Sequence, residues 1–156
     1  MTKEEFKQRT QRFASDVIRL VAQTEPTFVG ATLLRQLLKA GTSVGSNYRA
    51  ACRARSDAEM HSKLCTVEEE ADECCFWLEL LLEHGLADAT KIEPLLAEAD
   101  QIVRMVVASK KRLSSRLGTL RVREYPAEYE TFIEDDELGE HVILSVARQS
   151  TIDNRQ

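Results

Sequence analysis

The stretch from Gly41 to Leu82 decides the fold, and it reads GTSVGSNYRAACRARSDAEMHSKLCTVEEEADECCFWLELLL. In its second half, apolar residues recur in alternating steps of four and three, which places one apolar stripe along a single helical face. A stripe of this kind is typical of a helix in a bundle. Its members are Met60, Leu64, Val67, Ala71, Cys74, Leu78 and Leu81.

The first half of the stretch contains two glycines, Gly41 and Gly45, that would ordinarily suggest a break in a helix. The apolar residues on either side keep the helical period, so we expect one continuous helix from about Thr27 to Ala54. Glycines four residues apart lie on one face and let a neighbouring helix approach closely, at a cost of about 1 kcal/mol each against alanine. A loop at this position is the alternative.

Capping signals predict the ends of the other helices. The first helix should cover about residues 3–23, and the third should run from Ser56 to the C-cap Gly85. The fourth should start between residues 90 and 93, because Pro94 is tolerated only in a first turn. Four helices with short connections predict an all-α, antiparallel up-and-down four-helix bundle. The capping boxes are Thr2 with Glu5, Ser56 with Glu59 and Thr90 with Glu93.

Charge divides the chain into two segments. Residues 1–116 carry 17 Lys+Arg and 17 Asp+Glu, whereas residues 117–156 carry 4 and 9, so the formal charge of -5 belongs to the second segment. We expect a neutral bundle over 1–116 and a non-helical acidic tail or arm over 117–156. The tail contains a β-prone string, residues 141–147, and is either a mobile extension or an arm that docks on a neighbouring subunit. A neutral bundle lacks the overall basic field of a dedicated nucleic-acid binder, although a local patch can still bind.

No stretch approaches the roughly 20 apolar residues of a membrane span, and charges interrupt the N-terminal region. We therefore expect a cytoplasmic protein without a membrane partner. The cysteines show no CxxC spacing, so reduced thiols are expected. Acidic neighbours disfavour the thiolates of Cys74 and Cys75, and reactive thiols are not expected there. The remaining cysteines are Cys52 and Cys65.

No pattern for catalysis, metal binding or cofactor binding is visible. Di-iron bundles use Glu-x-x-His pairs, but Ala, Leu and Leu stand three residues before His61, His84 and His141. No Ser or Cys is fixed by a local motif beside a His, and no glycine-rich phosphate loop follows a strand. We predict that the protein is not an enzyme and has no catalytic residues, metal or cofactor; a carboxylate metalloenzyme is the remote alternative.

Two basic clusters are candidate contacts for nucleic acid. Arg49 and Arg53 share a face of the second helix, and Arg55 follows closely. The acidic run at 69–73 of the third helix could instead pair with these arginines, and both interpretations stay open. The hypothetical nucleic-acid-binding residues are Asn47, Arg49, Arg53, Arg55, Lys110, Lys111 and Arg112.

Apolar residues beyond the core stripes indicate oligomerisation. One stripe per helix suffices for a bundle core, but the fourth helix has a second apolar row and the third has aromatic residues where solvent is expected. Burial against another copy of the chain would explain both. The hypothetical interface residues are Phe76, Trp77, Leu80, Leu96, Val103 and Val107.

Residues 3–116 resemble a known family, the four-helix-bundle proteins first identified as open reading frames in 23S ribosomal RNA intervening sequences. The most specific parts are TSVGSNYRAA (Thr42 to Ala51) and VEEEADECCFWLELL (Val67 to Leu81). The resemblance implies a bacterial protein that assembles into homopentameric rings. A related branch of the family comprises accessory proteins of reverse transcriptases in diversity-generating retroelements, which bind nucleic acid through a basic surface. The acidic tail and the neutral bundle depart from this pattern, and the family offers no catalytic residues.

These observations together predict a non-enzymatic, homo-oligomeric adaptor or scaffold, with the pentamer implied by the resemblance. Its expected partner is a protein such as a reverse transcriptase. The alternative is a ring that binds RNA or DNA.

Overall fold

The computed structural model describes the backbone of residues 1–124, 131–135 and 141–145, and the side chains of residues 1–118. Four helices follow one another along the chain, and they form the predicted antiparallel up-and-down bundle. They are α1 (Lys3–Gln23), α2 (Phe28–Ala51), α3 (Asp57–Glu83) and α4 (Ala89–Glu124).

Contacts between the helices establish their directions. The ring of Phe6, near the start of α1, meets the ring of Tyr48, near the end of α2, edge-on with centroids 4.5 Å apart. Polar contacts join the other neighbours: Ser43–Glu70 between α2 and α3, Glu68–Lys110 between α3 and α4, and Arg9–Glu98 between α1 and α4. The starts of α1 and α3 therefore lie at the same end of the bundle as the last turns of α2 and the Lys110 region of α4.

The core consists of the apolar stripe of each helix. Every predicted stripe residue of α3 is buried except Met60, which is half-buried. Thr10 is a polar residue in this core, and its hydroxyl donates to the Lys7 carbonyl at 3.0 Å. Because that hydrogen bond satisfies the hydroxyl, the residue is buried without an unpaired donor. Other large, fully buried side chains are Phe13, Leu37, Leu64, Leu78 and Ile102.

The capping box at α1 is confirmed, and the one at α3 is only half formed. The Glu5 amide donates to the Thr2 hydroxyl at 3.2 Å, and the Thr2 amide donates to the Glu5 carboxylate at 2.7 Å. At α3 the Glu59 amide donates to the Ser56 hydroxyl at 3.1 Å. The Glu59 carboxylate, however, accepts from the Arg55 amide at 2.8 Å. The expected reciprocal bond to Ser56 is thus replaced by a bond to the residue before it.

Asp88, and not Thr90, caps α4. The Asp88 carboxylate accepts from both the hydroxyl and the amide of Thr90, at 2.7 and 3.0 Å, and these bonds lower the pKa of Asp88. Thr90 lies within α4 rather than before it, so its hydroxyl does not cap the helix and the predicted box with Glu93 was wrong. Since α4 begins at Ala89, Pro94 lies in its second turn rather than its first.

The ends of α2 and α3 agree broadly with the sequence. α2 ends at Ala51, and residues 52–54 continue as a tight turn in which the Ala54 amide donates to the Ala51 carbonyl at 3.2 Å. α3 ends just before Gly85, whose φ of 60° is the left-handed conformation expected of a glycine C-cap. The Leu86 amide then donates to the Leu81 carbonyl at 2.9 Å and closes the cap.

Gly41 and Gly45 lie inside the continuous helix α2, as predicted, and face α1. A Cβ added at Gly41 would lie 2.8 Å from Val17 Cγ1, and one added at Gly45 would lie 3.2 Å from the Thr10 carbonyl oxygen. A side chain at Gly41 would therefore require movement. The absence of a side chain at these positions is what lets α1 and α2 approach closely.

The C-terminal segment differs from the prediction at its start. α4 continues through Glu124, whereas residues from 117 onwards were expected to be non-helical. Leu120 and Val122 alternate with arginines there, Gly118 lies within the helix without ending it, and the next proline is Pro126. Strands β1 (Thr131–Asp135) and β2 (His141–Ser145) pair in an antiparallel hairpin.

By its contacts the chain divides into Met1–Ser115 and Arg116–Gln156. β2 lies within the predicted β-prone string, and residues 146–147 fall outside the described residues. The hypothesis of a docking arm depends on side chains in 142–146, which are likewise outside the described part, so it stays a prediction.

Replacing Gly41 by alanine should destabilise the bundle, because the new methyl group would overlap the Val17 methyl groups. We expect the free energy of unfolding to fall by about 1–3 kcal/mol, the usual cost of overpacking a core, in urea denaturation. Gly118→Ala is the matched control, because a Cβ there meets no atom within 4 Å. Equal effects of the two substitutions would contradict the close packing of α1 on α2.

Candidate nucleic-acid interface

A cleft of about 420 Å³ lies between the start of α1 and the end of α2. Arg49 lies in the last turn of α2 and Arg53, four residues on, lies in the tight turn that follows it, while Lys3 and Lys7 share a face of α1. The antiparallel packing of the two helices brings the pairs together. The lining residues are Lys3, Glu4, Lys7, Arg49, Cys52 and Arg53.

The charges in this basic cleft are largely uncompensated. The Lys7 ammonium donates to the Glu4 carboxylate at 2.6 Å, and this bond lowers the pKa of Glu4. Lys3 donates to the Cys52 carbonyl at 2.8 Å, at the C-terminus of α2, where the helix dipole favours a cation. Four cations against one carboxylate give the cleft a formal charge of +3.

Arg49 and Arg53 have exposed side chains, and neither makes an ion pair within the described part of the chain. The sequence also allowed them to pair with the acidic run of α3, and that alternative was wrong. The two arginines face α1, whereas α3 packs on another side of α2. Two of the carboxylates have other donors: Glu73 accepts from Trp77 Nε1 and Glu70 from the Ser43 hydroxyl, both at 2.8 Å.

Sequence reasoning missed Lys3 and Lys7. The available signal was their one-turn spacing in the first turns of α1. In an antiparallel pair of helices those turns must lie beside the last turns of α2, where Arg49 and Arg53 already formed a candidate cluster. The net charge of the segment gave no hint of this arrangement.

The structure separates the remaining candidates from the cleft. The Asn47 amide donates to the Ser43 carbonyl and hydroxyl, both at 3.0 Å, on the side of α2 that contacts α3. Arg55 is exposed beyond the end of α2. Lys110 forms a 2.5 Å ion pair with Glu68, which raises the pKa of Lys110 and neutralises its charge. On α4, Lys111 and Arg112 are exposed.

Charge is segregated along the axis of the bundle. We take the half that contains the basic cleft as residues 1–13, 41–70 and 106–115; it has 11 Lys+Arg and 7 Asp+Glu, which gives +4, and its Arg9 pairs across the division with Glu98. The other half, residues 14–40 and 71–105, has 5 and 10, which gives -5. The net charge of the bundle is therefore close to zero because one basic half and one acidic half nearly cancel.

Three of the hypothetical interface residues line one side of α4. Lys110 and Ser114 contact α3. Val103 and Val107 precede them by seven residues, or two turns, and therefore lie on the same face of α4. Leu96 continues the same row one heptad earlier. Val107 is 44% exposed, and Leu96 and Val103 are half-buried. This row therefore flanks the seam between α3 and α4.

The three hypothetical interface residues of α3 lie elsewhere on the bundle. Trp77 follows Glu70 by two turns, and Glu70 contacts α2, so Trp77 and Leu80 lie on the α2 side. Phe76 is 49% exposed, and its ring packs edge-on against Trp77 with centroids 4.8 Å apart. The six residues thus occupy both flanks of α3 rather than one patch.

Sequence reasoning also missed an apolar surface in the acidic half. Phe28 begins α2 and is 96% exposed, and Val29 beside it is 59% exposed. The signal was available, because a capping threonine at position 27 places the next two residues in the first turn, before the core stripe begins.

Within the described residues, no group of three or more His, Cys, Asp or Glu side chains could hold a metal ion. In the same part of the chain, no helix is long and apolar enough to cross a membrane.

The helix directions and the two-sided charge distribution define a small four-helix-bundle protein with a basic end. The chain belongs to the 23S rRNA-intervening sequence protein family, whose model matches residues 2–108. It is also similar to a crystal structure of a protein with unknown function from the S23 ribosomal protein family of Bacteroides thetaiotaomicron. The two share 27% identity with a TM-score of 0.62, over 71% of this chain and 99% of that one. A comparison with curated proteins finds no match.

Proposed function

We propose that this protein is a non-enzymatic, homo-oligomeric binding protein whose basic cleft contacts the phosphate backbone of RNA. The observation that carries the proposal is the exposed state of Arg49 and Arg53, neither of which makes an ion pair within the described residues. Lys3 adds a third cation that has no carboxylate partner among those residues. A cation already paired with a carboxylate has little charge left for a ligand. Unpaired cations in a row favour a polyanion, because each phosphate contact releases counterions.

The composition of the cleft favours sequence-independent binding. Phe6 and Tyr48 lie on the same turns as the cations but pack against each other in the core, and Tyr48 is only 6% exposed. Among the described residues, no aromatic side chain lines the cleft, so bases find no platform there on which to stack. The remaining contacts are charge contacts to phosphate, which position a nucleic acid without reading its bases.

Oligomerisation strengthens this proposal. A single cleft offers few phosphate contacts, whereas a ring repeats the cleft and allows one RNA to engage several copies. The exposed Phe76 and Val107 supply apolar surface for contacts between subunits. A pentamer is the number that the resemblance implies, and we extend the proposal to a bacterial, cytoplasmic protein.

An adaptor for a protein partner, such as a reverse transcriptase, is the second candidate function. It is favoured by Phe28 and Val29, because an almost fully exposed aromatic residue is a frequent anchor of protein interfaces. These residues lie in the acidic half, away from the basic cleft. The two functions therefore use separate surfaces and can be tested separately.

Neutralising the cleft should weaken RNA binding. For Arg49→Gln/Arg53→Gln we expect a lower affinity for a fluorescent single-stranded RNA. The slope of log K against log salt should be shallower by about 1.4, since each lost single-strand phosphate contact contributes about 0.7. Fluorescence anisotropy from about 50 to 200 mM salt measures both quantities.

Arg35→Gln/Lys39→Gln is the matched control for that experiment. Both positions are exposed, four residues apart on α2, and lie in the acidic half. The control removes the same net charge but lies away from the basic cleft. It should therefore leave the affinity and the salt slope near those of the wild type. If both double variants weaken binding equally, net charge and not the cleft is responsible. If the wild type does not bind at about 50 mM salt, RNA is not the partner and the protein-adaptor function takes its place.

Placing a charge on either of the two apolar flanks of α3 should break the oligomer. Phe76→Glu or Val103→Glu should give smaller species in light scattering, because a carboxylate is costly to bury in a subunit contact. Gln11→Glu, at an exposed position on α1, is the control and should retain the wild-type mass. A wild-type protein that is monomeric at micromolar concentration would contradict the oligomer.

A further inference from the structure

His61 of α3 lies between two nucleophilic side chains. Its Nδ1 is 3.7 Å from Cys65 Sγ, one turn further along α3, and its Nε2 is 3.0 Å from Ser114 Oγ of α4. The sequence suggested that no Ser or Cys is fixed beside a His, and the structure shows otherwise for this trio. The missed signal was His-x-x-x-Cys within one helix, a spacing that places the two side chains on the same face.

The three residues have the arrangement of an activated nucleophile. In such an arrangement the nucleophile lies within hydrogen-bonding reach of a base, and a third group orients the base. In the tautomer whose Nε2–H donates to the Ser114 hydroxyl, Nδ1 carries a lone pair that faces the Cys65 thiol. Cys65 is the nucleophile, His61 the base and Ser114 the orienting group.

The Cys65 thiol lies next to a base, since His61 Nδ1 is 3.7 Å from its Sγ. A histidine beside a cysteine is one of the environments in which a thiol acts as a nucleophile. Cys65 is also partly exposed to solvent, so a small reagent can reach it.

We propose that Cys65 is a nucleophilic thiol and a site of oxidation by hydrogen peroxide or other small hydroperoxides. The thiol proton passes to Nδ1 of His61, and the thiolate attacks one peroxide oxygen. An S–O bond forms as the O–O bond breaks, so sulfur is oxidised by two electrons to a sulfenic acid and the peroxide is reduced. The leaving hydroxide takes the proton from His61 and departs as water.

The other three cysteines lack this environment. Burial raises the pKa of the Cys74 thiol strongly, and burial together with Asp72 raises that of Cys75 to about 11. Cys52 is half-buried and lies beside the Tyr48 hydroxyl. Burial raises the pKa of Tyr48 to about 12, so this phenol cannot accept a proton near neutral pH. Cys52 nevertheless lines the basic cleft, which makes it the strongest competitor of Cys65.

Chemical trapping on the full-length protein tests the proposal. The protein is exposed to limiting hydrogen peroxide with dimedone, which captures sulfenic acids, and adducts are quantified for each cysteine by peptide mass spectrometry. We expect Cys65 to be labelled roughly tenfold faster than Cys52, with Cys74 and Cys75 slowest. Labelling of Cys52 at the same rate as Cys65, or faster, would overturn the proposal.

His61→Gln tests the base and keeps a polar side chain of similar size. It should lower the Cys65 rate severalfold while leaving the Cys52 rate, measured in the same sample, unchanged. Should this variant loosen the fold, the rates at buried Cys74 would rise, and Ser114→Ala then provides the test. Ser114 is exposed, so the alanine should preserve the fold and still slow Cys65. An unchanged Cys65 rate in a folded variant of either kind would show that His61 does not activate the thiol.

Discussion

The close approach of α1 and α2 is the constraint on which the rest of the structure depends. At Gly41 the space that a side chain would need is occupied by the methyl groups of Val17, and at Gly45 it borders the Thr10 carbonyl. Because the two helices run antiparallel, this contact also sets which residues meet at the end of the bundle. The first turns of α1 then face the last turns of α2, and Lys3 and Lys7 join Arg49 and Arg53 in one basic cleft. A helix pair held further apart would spread the same four charges over separate surfaces.

Net charge describes this bundle poorly, and helix direction explains why. The basic residues near the start of α1 and the end of α2 collect at one end, whereas the acidic residues of α3's second half and α4's first half collect at the other. The halves carry +4 and -5, which nearly cancel in the total. A phosphate backbone responds to the local potential, so a nearly neutral domain of this kind can still present a binding surface. The same segregation keeps the basic cleft apart from the exposed Phe28.

Most of the fold could be predicted from the sequence, because it rests on local patterns. The four-and-three spacing identified the buried stripe of α3, and Gly85 marked its end. The errors fell where two nearby groups could serve the same end of a helix. Asp88, directly before Ala89, takes the place of Thr90 as the cap of α4, and Glu59 bonds the amide of Arg55 instead of completing its box. Such competition depends on geometry within a fraction of a turn, which spacing alone does not specify.

The candidate surfaces were less predictable because they join residues distant in the chain. Arg49 and Arg53 were identified from one helix, but their partners on α1 appear only once the helices are paired. The same holds for Ser114, which lies 53 positions from His61 and reaches its ring only through the packing of α4 on α3. Within a single helix, the His61–Cys65 pair was visible as a spacing but had no meaning without this third residue.

The central claim is that RNA lies against the basic end of the bundle, and photo-crosslinking tests it most directly. A single-stranded RNA containing 4-thiouridine would be irradiated with the full-length protein at low salt, and the crosslinked peptides mapped by mass spectrometry. Our account predicts crosslinks in the first turns of α1 and the last turns of α2, around Lys3, Lys7, Arg49 and Arg53. Crosslinks concentrated instead in the acidic half, around Phe28 or the end of α3, would contradict it.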